Sequence, residues 1–206
     1  MVTERKDLLR PDRPKERADA ARNRARVLAA AEELFSRQRS VTMEDIARAA
    51  GVGRGTLYRR YPDVPSIALA LLDEHERRVQ EQLLRGEPPL GPGAPPHERL
   101  AAFYGAMVGL LERHGHLALG AEIGRARFTT GAYGFWQAHV RALVTEAGHD
   151  PDALTDLLLA PIAPDVYDYQ RHQLGLSPEK VTAALTRIAH GVLGTPGRGQ
   201  VLDPPR

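Results

Sequence analysis

Apolar residues recur at helical spacing along almost all of this 206-residue chain, and alternating strand-like patterns are scarce. That one feature confines the chain to an all-α fold. Residues 18–38, ADAARNRARVLAAAEELFSRQ, set Val27, Leu28, Ala31, Leu34 and Phe35 along one stripe and Arg22, Arg26 and Glu33 on the other side. This is the pattern of a helix half-sunk in a core. Thr42 precedes MEDIARAA with Asp45 three positions on, so it is a natural N-cap, and Glu44 and Asp45 suit the positive first turn. Ile46, Ala47 and Ala50 supply a buried side, and Gly51 stands where a helix ends on a left-handed residue. A short helix from Arg54 to Tyr61 is stopped by Pro62, and Asp63 can cap a fourth helix from about Val64 to Leu84, with Pro65 in its tolerated first turn.

Residues 85–96, RGEPPLGPGAPP, hold five prolines and three glycines in twelve positions, which predicts a flexible loop and the clearest break in the chain. Helical segments resume at HERLAAFYGAMVGLLERHG and continue to SPEKVTAALTRIAHGVLG, with Pro161 and Pro164 expected to open one of them because each lacks a backbone donor. The domains expected are a disordered arm over 1–17, a first helical unit over 18–62, a linker helix and second domain over 63–194, and a tail over 195–206.

Composition matters through what it excludes. With no cysteine there are no disulfides, thiolate metal sites or cysteine nucleophiles. No apolar run approaches the roughly 18 residues of a membrane span, and the charged first residues are unlike a secretory signal, so a cytoplasmic protein is expected. Residues 1–61 carry 15 Lys and Arg against 9 Asp and Glu, whereas 62–206 carry 13 against 17. A basic front on a mildly acidic body suits a nucleic-acid-binding head, and equally a surface whose charges are unevenly spread.

The stretch GVGRGTLYRRYPDVP, 51–65, separates these readings. Two short helices joined by AGVG and braced by a longer preceding one make a helix-turn-helix. Val52 and Leu57 can pin the pair against Ile46 and Phe35, while Gly53 and Gly55 leave the start of the second helix bare for close approach. Arg54, Thr56, Tyr58, Arg59 and Arg60 then point outward toward an anion. A recognition helix in a major groove needs this set, and Arg54 can pair bidentately with guanine for about 1–3 kcal/mol of discrimination. Tyr58 and Thr42 carry hydroxyls suited to phosphate oxygens. A dinucleotide-binding glycine loop would have to follow a strand, and here an amphipathic helix comes first. A purely structural hairpin has no need of so many exposed arginines.

Residues 42–61, TMEDIARAAGVGRGTLYRRY, resemble the DNA-binding signature of the TetR family of bacterial transcriptional regulators. The match covers 18–62 and carries the family's capping threonine, IA pair, AGV, basic residue, GTLY and final aromatic. The resemblance implies an all-α protein: a three-helix, N-terminal helix-turn-helix domain that binds a double-stranded DNA operator, then a helical bundle for ligand binding and dimerisation. It implies DNA contacts at Thr42, Arg54, Gly55, Thr56, Tyr58 and Tyr61, with Tyr61 in part a core residue, while Arg59 and Arg60 add charge. It also implies a homodimer on a palindromic operator and a repressor released by a small-molecule effector. One departure concerns the start of the fourth helix, where members commonly carry a lysine and this chain has PDVPS.

For the second domain the residues leave alternatives open. Phe103, Met107, Phe128, Tyr133, Trp136 and Tyr167 are candidates to line a small-molecule cavity, and equally to be core. The apolar stripes Leu154, Leu157, Leu158, Ile162 and Val181, Leu185, Ile188, Val192 are candidates for pairing with a second subunit. Eight scattered histidines, with no HExxH, are expected on surfaces and loops, and no metal or cofactor is expected. No nucleophile–base arrangement argues for an enzyme. The competing functions are an effector-independent DNA-binding dimer and a helical enzyme or carrier with a basic head.

Overall fold

The structure, a computed structural model, describes residues 13–37, 40–121 and 131–194, with the side chains of 13–17 and 116–121 left aside. Every regular element among the described residues is helical. They are α1 (Arg13–Arg37), α2 (Met43–Ala50), α3 (Arg54–Arg60), α4 (Val64–Arg85), α5 (Pro96–Ala121), α6 (Gly131–Glu146), α7 (Pro151–Leu159), α8 (Pro164–Asp168) and α9 (Pro178–Leu193). Among the described residues, no helix is long and apolar enough to cross a membrane.

The chain divides into two compact units, 1–71 and 72–206. Helix α1 begins at Arg13, earlier than its apolar stripe suggests, because Pro14 is harmless in a first turn. Residues 13–17 are therefore helical rather than part of an arm, and 1–12 lie outside the described residues. Local chemistry sets the next boundaries. The Thr42 side chain accepts from the Asp45 backbone while Asp45 receives the Thr42 N–H, a reciprocal capping box. Gly51 closes α2 at φ 61°, a left-handed conformation that suits glycine. Ser66 N donates to Asp63 Oδ1 at 2.8 Å, so Asp63 caps α4 as expected. The first core gathers Val27, Leu28 and Ala31 of α1, Ile46 and Ala50 of α2, Leu57 of α3, Tyr61, and Ile67 and Leu71 of α4. Burying side chains such as Ile46 and Leu57 stabilises this small unit by about 1.5–3 kcal/mol each.

The second unit is organised around α5, which packs against α6, α8 and α9. Its core holds Leu100, Phe103, Tyr104 and Met107 with Trp136, Val140 and Leu143, and is closed by Leu158, Ile162, Val181 and Leu185. Pro161 and Pro164 act as expected: α7 ends at Leu159, a tight turn spans Ala160–Ile162, and α8 restarts at Pro164. Tyr167 Oη and Arg171 Nε donate to Glu112 Oε1 at 2.7 and 2.6 Å, tying α8 and the turn after it to α5. The hydrogen bond from Arg171 holds the Glu112 carboxyl below the usual carboxylate range. The Pro/Gly-rich stretch is not the boundary between units. It joins α4 to α5 inside the second one, with Gly91 buried and Leu90 packed on the core. Its composition marks a turn between helices, whereas the boundary falls inside α4, whose early residues Ile67 and Leu71 belong to the first core.

Candidate nucleic-acid interface

Leu57, 2% exposed, anchors α3, and Tyr61, 6% exposed, closes it from below. The remaining residues of the helix, Arg54, Gly55, Thr56, Tyr58, Arg59 and Arg60, are all exposed. Five polar or charged side chains therefore share one seven-residue helix that its own unit holds by a single buried leucine. The structure puts Tyr61 in the core, where its hydroxyl is buried without a hydrogen-bond partner among the described residues. Its role is to seat α3, with Arg60 lying 5.9 Å from its ring centre.

Gly55 sharpens the picture. A Cβ built there meets nothing within 4 Å among the described residues. The fold has no steric need of glycine at that position, although glycine costs a helix interior about 1 kcal/mol relative to alanine. The bare backbone leaves room for something outside the chain.

Thr42 stands exposed at the start of α2, but its hydroxyl donates to Asp45 Oδ2 at 2.6 Å. The same bond, with the Thr42 N–H, keeps the Asp45 carboxyl low. A phosphate reaching Thr42 must compete with Asp45 for that proton. The missing base at the start of α4 has a structural counterpart, since the chain's own Asp63 carboxylate caps that terminus.

Two partners of this surface are not visible from sequence spacing. Arg26, which helical periodicity puts on the polar side of α1, donates from Nη2 to the Gly51 carbonyl at 2.9 Å and so holds the turn before α3. Glu44 accepts from Tyr58 Oη at 3.4 Å and lies 3.8 Å from Arg54 Nη1. Both pairings join residues far apart in sequence, so only packing brings them together.

In the second unit, Phe103, Met107, Trp136 and Tyr167 are buried and belong to one core cluster. Tyr133 is half-buried and donates to Asp156 at 2.9 Å, and Phe128 lies outside the described residues. The proposed pairing stripes divide. Leu158, Ile162, Val181 and Leu185 are buried within their own chain, because the same apolar faces pack inward toward α5. Leu157 and Ile188 stay exposed, at 66% and 40%, with Leu154 and Val192 half-buried. The expectation of surface histidines also needs correction. His75 and His114 are buried and meet at 2.6 Å between Nδ1 and Nε2, one ring donating and the other accepting. His139, against Phe103, is pushed down to about 4, first by burial and then by the Arg99 charge. Among the described residues no group of three His, Asp or Glu is placed to hold a metal ion.

Known proteins resemble this chain in sequence and in fold. Residues 27–70 match the model of the bacterial regulatory proteins of the tetR family. Over 187 residues the chain is 27% identical to the HTH-type transcriptional regulator EthR of Mycolicibacterium smegmatis, covering 83% of this chain and 86% of that one. A solved transcriptional regulator of the TetR/AcrR family from Thermobifida fusca superposes with a TM-score of 0.58 at 18% identity, over 85% of this chain and 98% of that one. FadR from Bacillus subtilis, solved in complex with stearoyl-CoA, superposes with a TM-score of 0.55 at 17% identity, over 80% and 96%.

Proposed function

We propose that the chain is a regulator of the TetR family of bacterial regulatory proteins, a cytoplasmic transcriptional repressor that binds a palindromic DNA operator as a homodimer. One observation carries the reading: α3 exposes Arg54, Thr56, Tyr58, Arg59 and Arg60 around the bare Gly55 while Leu57 anchors it from behind. Such a helix can enter a major groove, with Arg54 reading a guanine edge and the other arginines neutralising phosphates. A twofold dimer repeats the helix about one DNA turn, ~34 Å, away or at a multiple of that spacing.

The second unit supplies the partner subunit's contact and the effector's site in this proposal. Support for an effector comes from FadR of the same fold, solved with stearoyl-CoA, and from the aromatic core around Met107 and Trp136. An effector that binds one arrangement of the dimer better, by a coupling of about 1–3 kcal/mol, changes operator affinity 5- to 150-fold.

The test is selection of a preferred duplex from a random-sequence pool by the purified chain, followed by titration at increasing salt. Binding is expected to prefer the selected duplex and to weaken steeply as salt rises. Arg54→Ala should cost about 1–3 kcal/mol of that preference while the protein stays folded. A chain that enriches no sequence, or an Arg54→Ala protein that discriminates normally, refutes the reading.

A further inference from the structure

We infer that Glu44 is a specificity-determining residue, an internal counter-charge that masks Arg54 and Tyr58 until a matched base sequence draws them away. The inference rests on the DNA-binding reading above. Its basis is the convergence of two exposed recognition-helix side chains on one carboxylate oxygen. Glu44 Oε1 accepts from Tyr58 Oη at 3.4 Å and stands 3.8 Å from Arg54 Nη1. Glu44 belongs to the first turn of α2 and the other two to α3, so the turn between the helices creates the cluster.

The rest of the surface is wired differently. Arg48 pairs with Asp45 at 3.0 Å, and Asp45 serves the Thr42 cap. Among the described residues, Glu44 is the ion-pair partner of Arg54, and Arg59 and Arg60 form no ion pair. The carboxylate is therefore aimed at the side chain best placed to read a base.

The consequence follows from how the two kinds of DNA contact depend on distance and geometry. Attraction between an arginine and the phosphate backbone is Coulombic, tolerant of orientation and independent of sequence. A neighbouring carboxylate offsets that attraction wherever the protein lands. Bidentate bonds to guanine O6 and N7 are short and directional, and they form only where the base is correct. Glu44 thus weakens binding to every sequence through charge, while the matched site recovers the loss through Arg54. The Tyr58 hydroxyl, donating to the same oxygen, is held with its own oxygen free to accept.

The experiment compares the duplex chosen by selection with a scrambled duplex of equal length, for the full chain, Glu44→Gln, Arg54→Ala and the double variant. Glu44→Gln is expected to raise affinity for the scrambled duplex roughly two- to fivefold, the range of an exposed ion pair. Affinity for the selected duplex should rise less, so that discrimination falls. On the scrambled duplex the salt dependence of Glu44→Gln should steepen by up to about 0.9 in slope, one further phosphate neutralised. In the Arg54→Ala background both effects should shrink, because the masked charge is gone. An equal gain in both backgrounds means plain repulsion between Glu44 and DNA and overturns the inference. Unchanged discrimination in Glu44→Gln also overturns it while leaving the DNA-binding reading intact. Failure of the unaltered chain to bind any duplex overturns both. Melting curves guard against misfolding, and α2 should survive because its capping box uses Thr42 and Asp45.

Discussion

A single guanidinium, that of Arg26, joins α1 to the turn that launches α3 by donating to the Gly51 carbonyl at 2.9 Å. Gly51 is doubly constrained: its φ of 61° suits glycine, and a Cβ there lies 2.5 Å from the Arg26 guanidinium. His139 shows a different residue-level constraint. Burial and the nearby Arg99 charge keep its imidazole neutral down to about pH 4, whereas an unfolded histidine titrates near 6.5. Above about pH 6.5 both states are neutral and the full stability is present. As pH falls from there toward 4, the unfolded chain binds a proton that the folded chain refuses, so stability falls, and below about 4 the loss levels off. Thermal melts at about pH 7 and about pH 5 should therefore differ less in His139→Gln than in the unaltered chain. An equal difference in the two proteins refutes the assignment.

The short helix α3 is held in place by its surroundings. Seven residues make a helix too short to persist alone, so its geometry depends on Leu57, on the Gly53 carbonyl accepting from Thr56 and Leu57, and on the α2 turn behind it. Gly55 weakens the helix without relieving any contact inside the chain. Gly55→Ala is accordingly expected to stabilise the fold by up to about 1 kcal/mol, seen as a higher melting temperature, while weakening binding to the selected duplex. Stability and DNA affinity should move in opposite directions. If both rise, the bare backbone is not clearance for DNA.

At the scale of the whole molecule, burial divides the apolar stripes of α7 and α9 into residues of the chain's own core and exposed residues open to the proposed subunit contact. Val181 and Leu185 are core, whereas Ile188 on the same helix remains 40% exposed. Ile188→Asp should shift the protein from dimer to monomer in light scattering while keeping its helical signal. Leu185→Asp should instead unfold the second unit, because it buries an unpaired charge. A dimer that survives Ile188→Asp moves the subunit contact elsewhere.

Much of the first unit could be read without coordinates because its signals are local. The Thr42 cap, the Gly51 stop, the Asp63 cap and the exposed arginines of α3 each depend on neighbours within a turn or two of chain. Helical periodicity likewise anticipated the all-helical character of the described second unit. Which way an apolar stripe faces was not available from periodicity, since a helix that packs on α5 and one that meets another subunit repeat with the same 3.6-residue period. The pairing of Glu44 with Arg54 and Tyr58, the reach of Arg26 to Gly51 and the burial of His75 against His114 join residues from 10 to 39 positions apart. Local chemistry thus settled where α2 stops and α4 starts and which residues α3 exposes. Packing alone decided which charges meet, because a salt bridge or a buried imidazole pair is set by distance in space, and no spacing along the chain encodes that distance.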